Sequence, residues 1–110
     1  MDKNESLAEV GIASEKIYDG KIIKVFRDTV RLPDGKEALR EVVRHPGAVC
    51  VVPVTDEGEI LCVKQFRYPF SEITTEIPAG KLDHPGEDHA AAARRELLEE
   101  TGASCSGLRF

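Results

Sequence analysis

Glu96, Glu99 and Glu100 are spaced so that a helix would bring all three to one side, with the small Ala92 one turn earlier. Carboxylates so placed repel one another. Gly102, the expected C-cap, puts them in the last turns, where the helix dipole disfavours an anion by roughly 0.3 to 1 kcal/mol each. Stability alone does not select such a cluster. A hard divalent cation such as Mg²⁺ reverses the penalty, because it takes carboxylate oxygens and commonly shares them with substrate phosphates and water. The cluster therefore reads as a cation site.

A loop rich in Gly and Pro leads into that helix, so that Gly80 to Ala103 reads GKLDHPGEDHAAAARRELLEETGA. The run closely resembles the Nudix box: Gly, five residues, Glu, seven residues, then Arg-Glu-aliphatic-any-Glu-Glu-any-Gly-aliphatic. Glu87 is followed by seven residues and then by Arg95, Glu96, Leu97, Leu98, Glu99, Glu100, Thr101, Gly102 and Ala103, the last a small stand-in for the aliphatic residue. The first half departs from the pattern. Six residues, Lys81 to Gly86, separate Gly80 from Glu87, so the loop carries one extra residue around His84 and Pro85. Such insertions cost little.

The resemblance implies attack of water on a diphosphate linked to a second group, with Mg²⁺, or alternatively Mn²⁺, neutralising phosphate charge. It implies metal ligands Glu96, Glu99 and Glu100, the first and last being the principal ones, helped by the backbone carbonyl at Ala79. Arg95 would pair with Glu87, orient the loop against the helix and steady Glu99, which makes Glu99, Arg95 and Glu87 the candidate catalytic set. Outside the box, Arg44, the run Gln65-Phe66-Arg67-Tyr68-Pro69 and Glu76 in Glu-Ile-Pro-Ala-Gly resemble the ADP-ribose pyrophosphatase branch of that family. That branch implies substrate contacts at Arg44, Arg67, Glu76 and Gly80, two of them planar donor forks suited to a diphosphate. It also implies a homodimer through the N-terminal strands, and a general base in a loop beyond residue 110.

The expected function is hydrolysis of ADP-ribose or a related nucleoside-diphosphate sugar to a nucleoside monophosphate and a sugar phosphate. Alternatives are a nucleoside-triphosphate pyrophosphatase of the same fold and a Nudix-like module that binds nucleotide without cleaving it. Phe66 and Tyr68 could stack on a base or belong to the core. His45, His84 and His89 lack convergent zinc spacing.

The elements that must position these residues fit one domain of 110 residues, 41% hydrophobic and 32% charged. No apolar run approaches the roughly 20 residues of a membrane span, and a polar N-terminus without a signal core points to the cytoplasm. A net charge of -5 argues against broad nucleic-acid binding. Cys50, Cys62 and Cys105 fit neither a disulfide framework nor a zinc set, and the first two are expected as buried thiols.

Residues 1–15 read as a flexible arm, with regular structure from about Lys16. Ile22–Leu32 and Glu37–Arg44 form a hairpin around Pro33-Asp34-Gly35. Ala48–Val52 is continuously apolar and reads as a central strand covered on both faces, with Ile60–Phe66 as its antiparallel return and Ile73–Ile77 as a further strand. Asp88 is placed to cap a helix ending at Thr101, with Ala90, Ala93 and Leu97 on its apolar face and Leu98 at the edge. The expectation is an α+β fold, a Nudix-like mixed sheet with an N-terminal hairpin and the box loop and helix. Residues 16–110 would form the domain, lacking the C-terminal part of an αβα sandwich and so leaving some core uncovered.

Overall fold

The computed structural model describes residues 5–110, so the first part of the expected arm lies outside the described residues. The chain divides into two compact units, residues 1–45 and 46–110. The architecture is α+β, and every strand pairing among the described residues is antiparallel.

The first unit is a three-stranded meander of β1 (Val10–Asp19), β2 (Lys24–Arg31) and β3 (Glu37–Arg44), with β2 central. Its β2–β3 hairpin matches the sequence reading. The turn closes because Gly35, at φ 88°, supplies a left-handed residue, and its N–H donates to the Leu32 carbonyl. The start of β1 corrects that reading, since the strand begins at Val10, within the residues expected as an arm. Every residue of β1 is exposed, so no buried alternation marked it; cross-strand pairs such as Ser14 with Asp28 and Glu15 with Arg27 hold it instead. Val30 is the buried apolar residue of this unit.

The second unit contains β4 (Ala48–Cys50), β5 (Val63–Arg67), β6 (Glu72–Glu76), β7 (Ala79–Lys81) and α1 (His89–Thr101). Among the described residues β4 pairs only with β7, and β5 pairs with β6. The expected central strand is therefore a short strand with one partner, and Val49 and Val51 are half-buried between exposed neighbours. Its expected antiparallel return is reduced to a single bridge, Val54 to Ile60, because the following residues pair forward with β6. Cys50 and Cys62 are exposed, against expectation, since each lies on the open side of its segment.

Helix α1 packs on β4 and β7. Asp88 caps it, accepting from the Ala91 N–H at 3.0 Å, and Gly102 ends it at φ 75° with its N–H donating to the Leu98 carbonyl. Both ends agree with the sequence reading, and so do Ala93 and Leu97 on the buried face. Ala92, Ala93, Glu96 and Leu97 are buried, whereas Ala90 and Leu98 are exposed. Four consecutive alanines carry no directional signal, and the face is set by where a side chain as small as Ala92, fully buried, lets the helix settle on the strand. Pro78 is buried in the same unit. Beyond Gly102, Arg94 Nη1 donates to the Cys105 carbonyl at 3.0 Å, tying the final segment back to the helix.

Large apolar side chains remain open in this unit, among them Phe66, Tyr68, Phe70 and Ile73. Among the described residues no helix is long and apolar enough to cross a membrane.

Replacing Asp88 by Ala is expected to lower stability by about 1 kcal/mol, seen as a lower urea midpoint at unchanged slope. An unmoved midpoint would show that the cap is not formed.

Candidate functional site

The approach of α1 to β7 builds the site. A Cβ at Gly80 would overlap the Glu96 carboxylate, so only glycine leaves room for that side chain over the strand. Glu96 is 8% exposed, and burying a carboxylate is costly unless it is paired. Arg95 Nη1 supplies the partner, donating to Glu96 Oε1 at 2.6 Å. One turn later Glu100 reaches the neighbouring strand residue, its Oε2 accepting from the Ala79 N–H at 3.3 Å. Glu96 and Glu100 thus flank the backbone of Ala79 and Gly80.

Glu99 stands apart, with its side chain 60% exposed and its Oε2 3.8 Å from Arg95 Nη1. Among the described residues no three Asp, Glu, His or Cys side chains converge on one point. Glu96 and Glu99 instead face Arg95, and Glu100 takes the Ala79 N–H. The donor set is nonetheless all oxygen, Glu96, Glu99, Glu100 and the Ala79 carbonyl, which is the chemistry of a hard divalent cation. Together with the space that glycine keeps clear for Glu96, it fits such an ion.

Arg95 ties loop to helix. Its Nη2 donates to Glu87 Oε1 at 3.1 Å and to the Lys81 carbonyl at 3.3 Å. Its Nε lies 3.0 Å from Asp83 Oδ2, but at an angle that makes the contact an ion pair without a hydrogen bond. Glu87 also accepts from the Asp83 N–H at 2.8 Å, and this bond, ahead of the one from Arg95, holds its pKa below the usual carboxylate value. Arg95 is in turn held more firmly protonated, first by its bond to Glu87 and then, against the effect of burial, by Glu96. The sequence pairing of Arg95 with Glu87 is therefore present, and Asp83 is a member that the sequence reading missed. Its only signal was an acidic residue four before Glu87.

A second cluster forms across β5 and β6. Arg67 clamps Glu76 with two bonds, Nε to Oε2 at 2.8 Å and Nη2 to Oε1 at 2.6 Å. The Thr74 hydroxyl donates to the same carboxylate from two residues earlier on the same face of β6. The bond from Arg67, followed by that from Thr74, holds the Glu76 pKa at about 2. Arg67 is held protonated chiefly by Glu76, and the charge of Glu100 adds to this, which links the clamp electrostatically to the acidic end of α1. Thr74 too escaped the sequence reading; a period-two search from Glu76 would have found it.

Arg44 belongs to the first unit. There its guanidinium lies 5.4 Å from the centroid of the Phe26 ring and 3.9 Å from Asp28 Oδ2. The structure thus brings together Ala79, Gly80, Glu87, Arg95, Glu96 and Glu100, sets Glu99 at their edge, joins Arg67 to Glu76, and carries Arg44 on a separate unit.

Comparison with known proteins gives the chain relatives over most of its length. Residues 12–43 match a family model described as nucleoside diphosphate sugar hydrolase N-terminal domain. The chain is 52% identical over 104 residues to the ADP-ribose pyrophosphatase of Bacillus subtilis (strain 168), a match covering 94% of this chain and 56% of that protein. It is 46% identical over 102 residues to the methanol dehydrogenase activator of Bacillus methanolicus, covering 93% and 55% respectively. A crystal structure of an ADP compounds hydrolase superposes with a TM-score of 0.79 at 25% identity, covering 94% of this chain and 57% of that one. The chain spans about half the length of the curated relatives it matches. Residues 44–110, which carry the loop, the clamp and the acidic helix, match the NUDIX domain model, and the chain belongs to that family.

Proposed function

We propose that this protein acts as a divalent-metal-dependent pyrophosphatase on ADP-ribose or a related nucleoside-diphosphate sugar, releasing AMP or another nucleoside monophosphate and a sugar phosphate. One observation carries the reading: Glu96 and Glu100 press against the backbone of Ala79 and Gly80, at the acidic end of a helix where packing alone would not place them. Glu96, Glu99, Glu100 and the Ala79 carbonyl would hold a divalent ion such as Mg²⁺ or Mn²⁺, which would supply charge neutralisation at the diphosphate and activation of water. Arg95 and Glu87 hold the loop to the helix so that these donors keep their places. Glu99, exposed at the edge of the group, is the member of the acidic set most open to an incoming substrate.

Arg67 and Glu76 are assigned to substrate. The clamp spends two N–H groups of Arg67 on Glu76 and leaves the rest of the fork for phosphate oxygens. Gly80, whose side-chain space the Glu96 carboxylate takes, serves by seating that side chain, and the Arg44 guanidinium is likewise assigned to substrate. A homodimer through the N-terminal strands accords with Tyr18, Leu39 and Val43, which the register places on one exposed face of that sheet. A cytoplasmic location and the lack of a nucleic-acid or membrane partner complete the reading, supported by the net charge of -5. The names of the Bacillus subtilis relative and of the superposed hydrolase favour a diphosphate substrate over a nucleoside triphosphate.

Incubation with Mg²⁺ and ADP-ribose is expected to yield AMP and ribose phosphate, and Glu96→Gln or Glu100→Gln to lower turnover by roughly a hundredfold. Release of pyrophosphate from nucleoside triphosphates, with ADP-ribose untouched, would select the triphosphate enzyme instead. Gly80→Ala is expected to displace the Glu96 carboxylate and weaken Mn²⁺ binding by about tenfold; unchanged binding in a titration would exclude the close packing as its cause.

Because the folded pKa of Glu76 is depressed, the stability its pairing contributes is complete above its ordinary value of 4.5 and is lost as the pH falls toward about 2. Carbon-detected NMR titration should place the Glu76 midpoint near that lower value, and Arg67→Ala should return it toward 4.5. A wild-type midpoint near 4.5 would show that the clamp is not formed in solution.

A further inference from the structure

We infer that Asp83, in the loop between β7 and α1, is a positioning residue that draws Arg95 toward the loop and thereby sets how tightly Glu96 and Glu99 take a divalent cation. The inference rests on the reading of those glutamates as cation ligands. One guanidinium is shared here among four carboxylates. Asp83 and Glu87 hold it from the loop, at 3.0 and 3.1 Å, while Glu96 and Glu99 hold it from the helix, at 2.6 and 3.8 Å. The helix pair are also the side chains that a cation must recruit. Arg95 Nη1 and the ion therefore compete for the same oxygens, and whatever favours the loop side of Arg95 favours the ion.

Asp83 is built into that loop side twice. Its backbone N–H donates to Glu87 Oε1 at 2.8 Å, and its carboxylate faces Arg95 Nε. The second contact is close but poorly aligned for a hydrogen bond, so its effect is Coulombic and depends on the charge of Asp83. With its side chain 59% exposed, Asp83 adds little to stability, yet a charge 3.0 Å from a 23% exposed guanidinium still biases where that group rests. Asp83 lies within the Lys81–Gly86 stretch that is one residue longer than the box spacing. The longer loop thus carries a residue with work to do.

Titration with Mn²⁺, followed by loss of the free-ion signal in electron paramagnetic resonance, tests this on the protein and its variants. Asp83→Asn is expected to weaken Mn²⁺ binding by about tenfold while leaving the melting temperature of the metal-free protein unchanged. Asp83→Glu, which restores the charge, should recover most of the affinity. In an Arg95→Gln background the Asp83→Asn change should have no further effect, because the group it positions is gone. Unchanged affinity in Asp83→Asn, or an equal loss with and without Arg95, would overturn the inference and leave the cation site standing. A wild-type protein that takes up no Mn²⁺ would instead remove the cation site, and this inference with it.

Discussion

The closeness of α1 to β7 is the constraint on which the rest of the structure depends. It seats the fully buried Ala92 on the sheet and lays the Glu96 carboxylate over the bare backbone of Gly80, in a place that water barely reaches. A buried carboxylate is tolerable only with a cation beside it, so Arg95 must stand there too. Arg95 in turn needs more than Glu96 to hold it, and the loop answers with Glu87, Asp83 and the Lys81 carbonyl. A steric fact on a strand thus propagates through a chain of charges to the loop in front of the helix.

The two clusters divide the labour. Around Arg95 the charges are predominantly negative and lie close to the strand backbone, an environment for a small hard cation. Around Glu76 one guanidinium faces one carboxylate and one hydroxyl, an arrangement that fixes a planar fork in a known orientation. The influence of Glu100 on Arg67 joins them, so a ligand bearing phosphates would meet both fields at once.

Much of this was legible in the sequence wherever local chemistry decides structure. Asp88, Gly102 and the Pro33-Asp34-Gly35 turn act through their own backbone neighbours, and the helix and hairpin they bound lie where the residues put them. The Arg95 pairing with Glu87 came with the resemblance to the Nudix box. What failed was what distant residues decide. An apolar run from Ala48 to Val52 says that a strand is near, not which partner it takes, and β4 found β7 alone. The four alanines at the start of α1 could face either way until Gly80 and the small Ala92 fixed the helix on the strand. β1 shows no buried side at all, so polar cross-strand pairs had to be seen to be known.

The caps at Asp88 and Gly102 have one more consequence. They bracket the helix so that its carboxylates are counted from fixed ends, while the loop ahead is tied to it at separate points, the Lys81 carbonyl, Asp83 and Glu87. Insertions and deletions in that loop should therefore be tolerated wherever they leave those points within reach of Arg95. A single residue gained or lost inside the bracket would swing the following side chains by about 100° and turn the acids away from the strand, so natural length variation should be almost wholly confined to the loop.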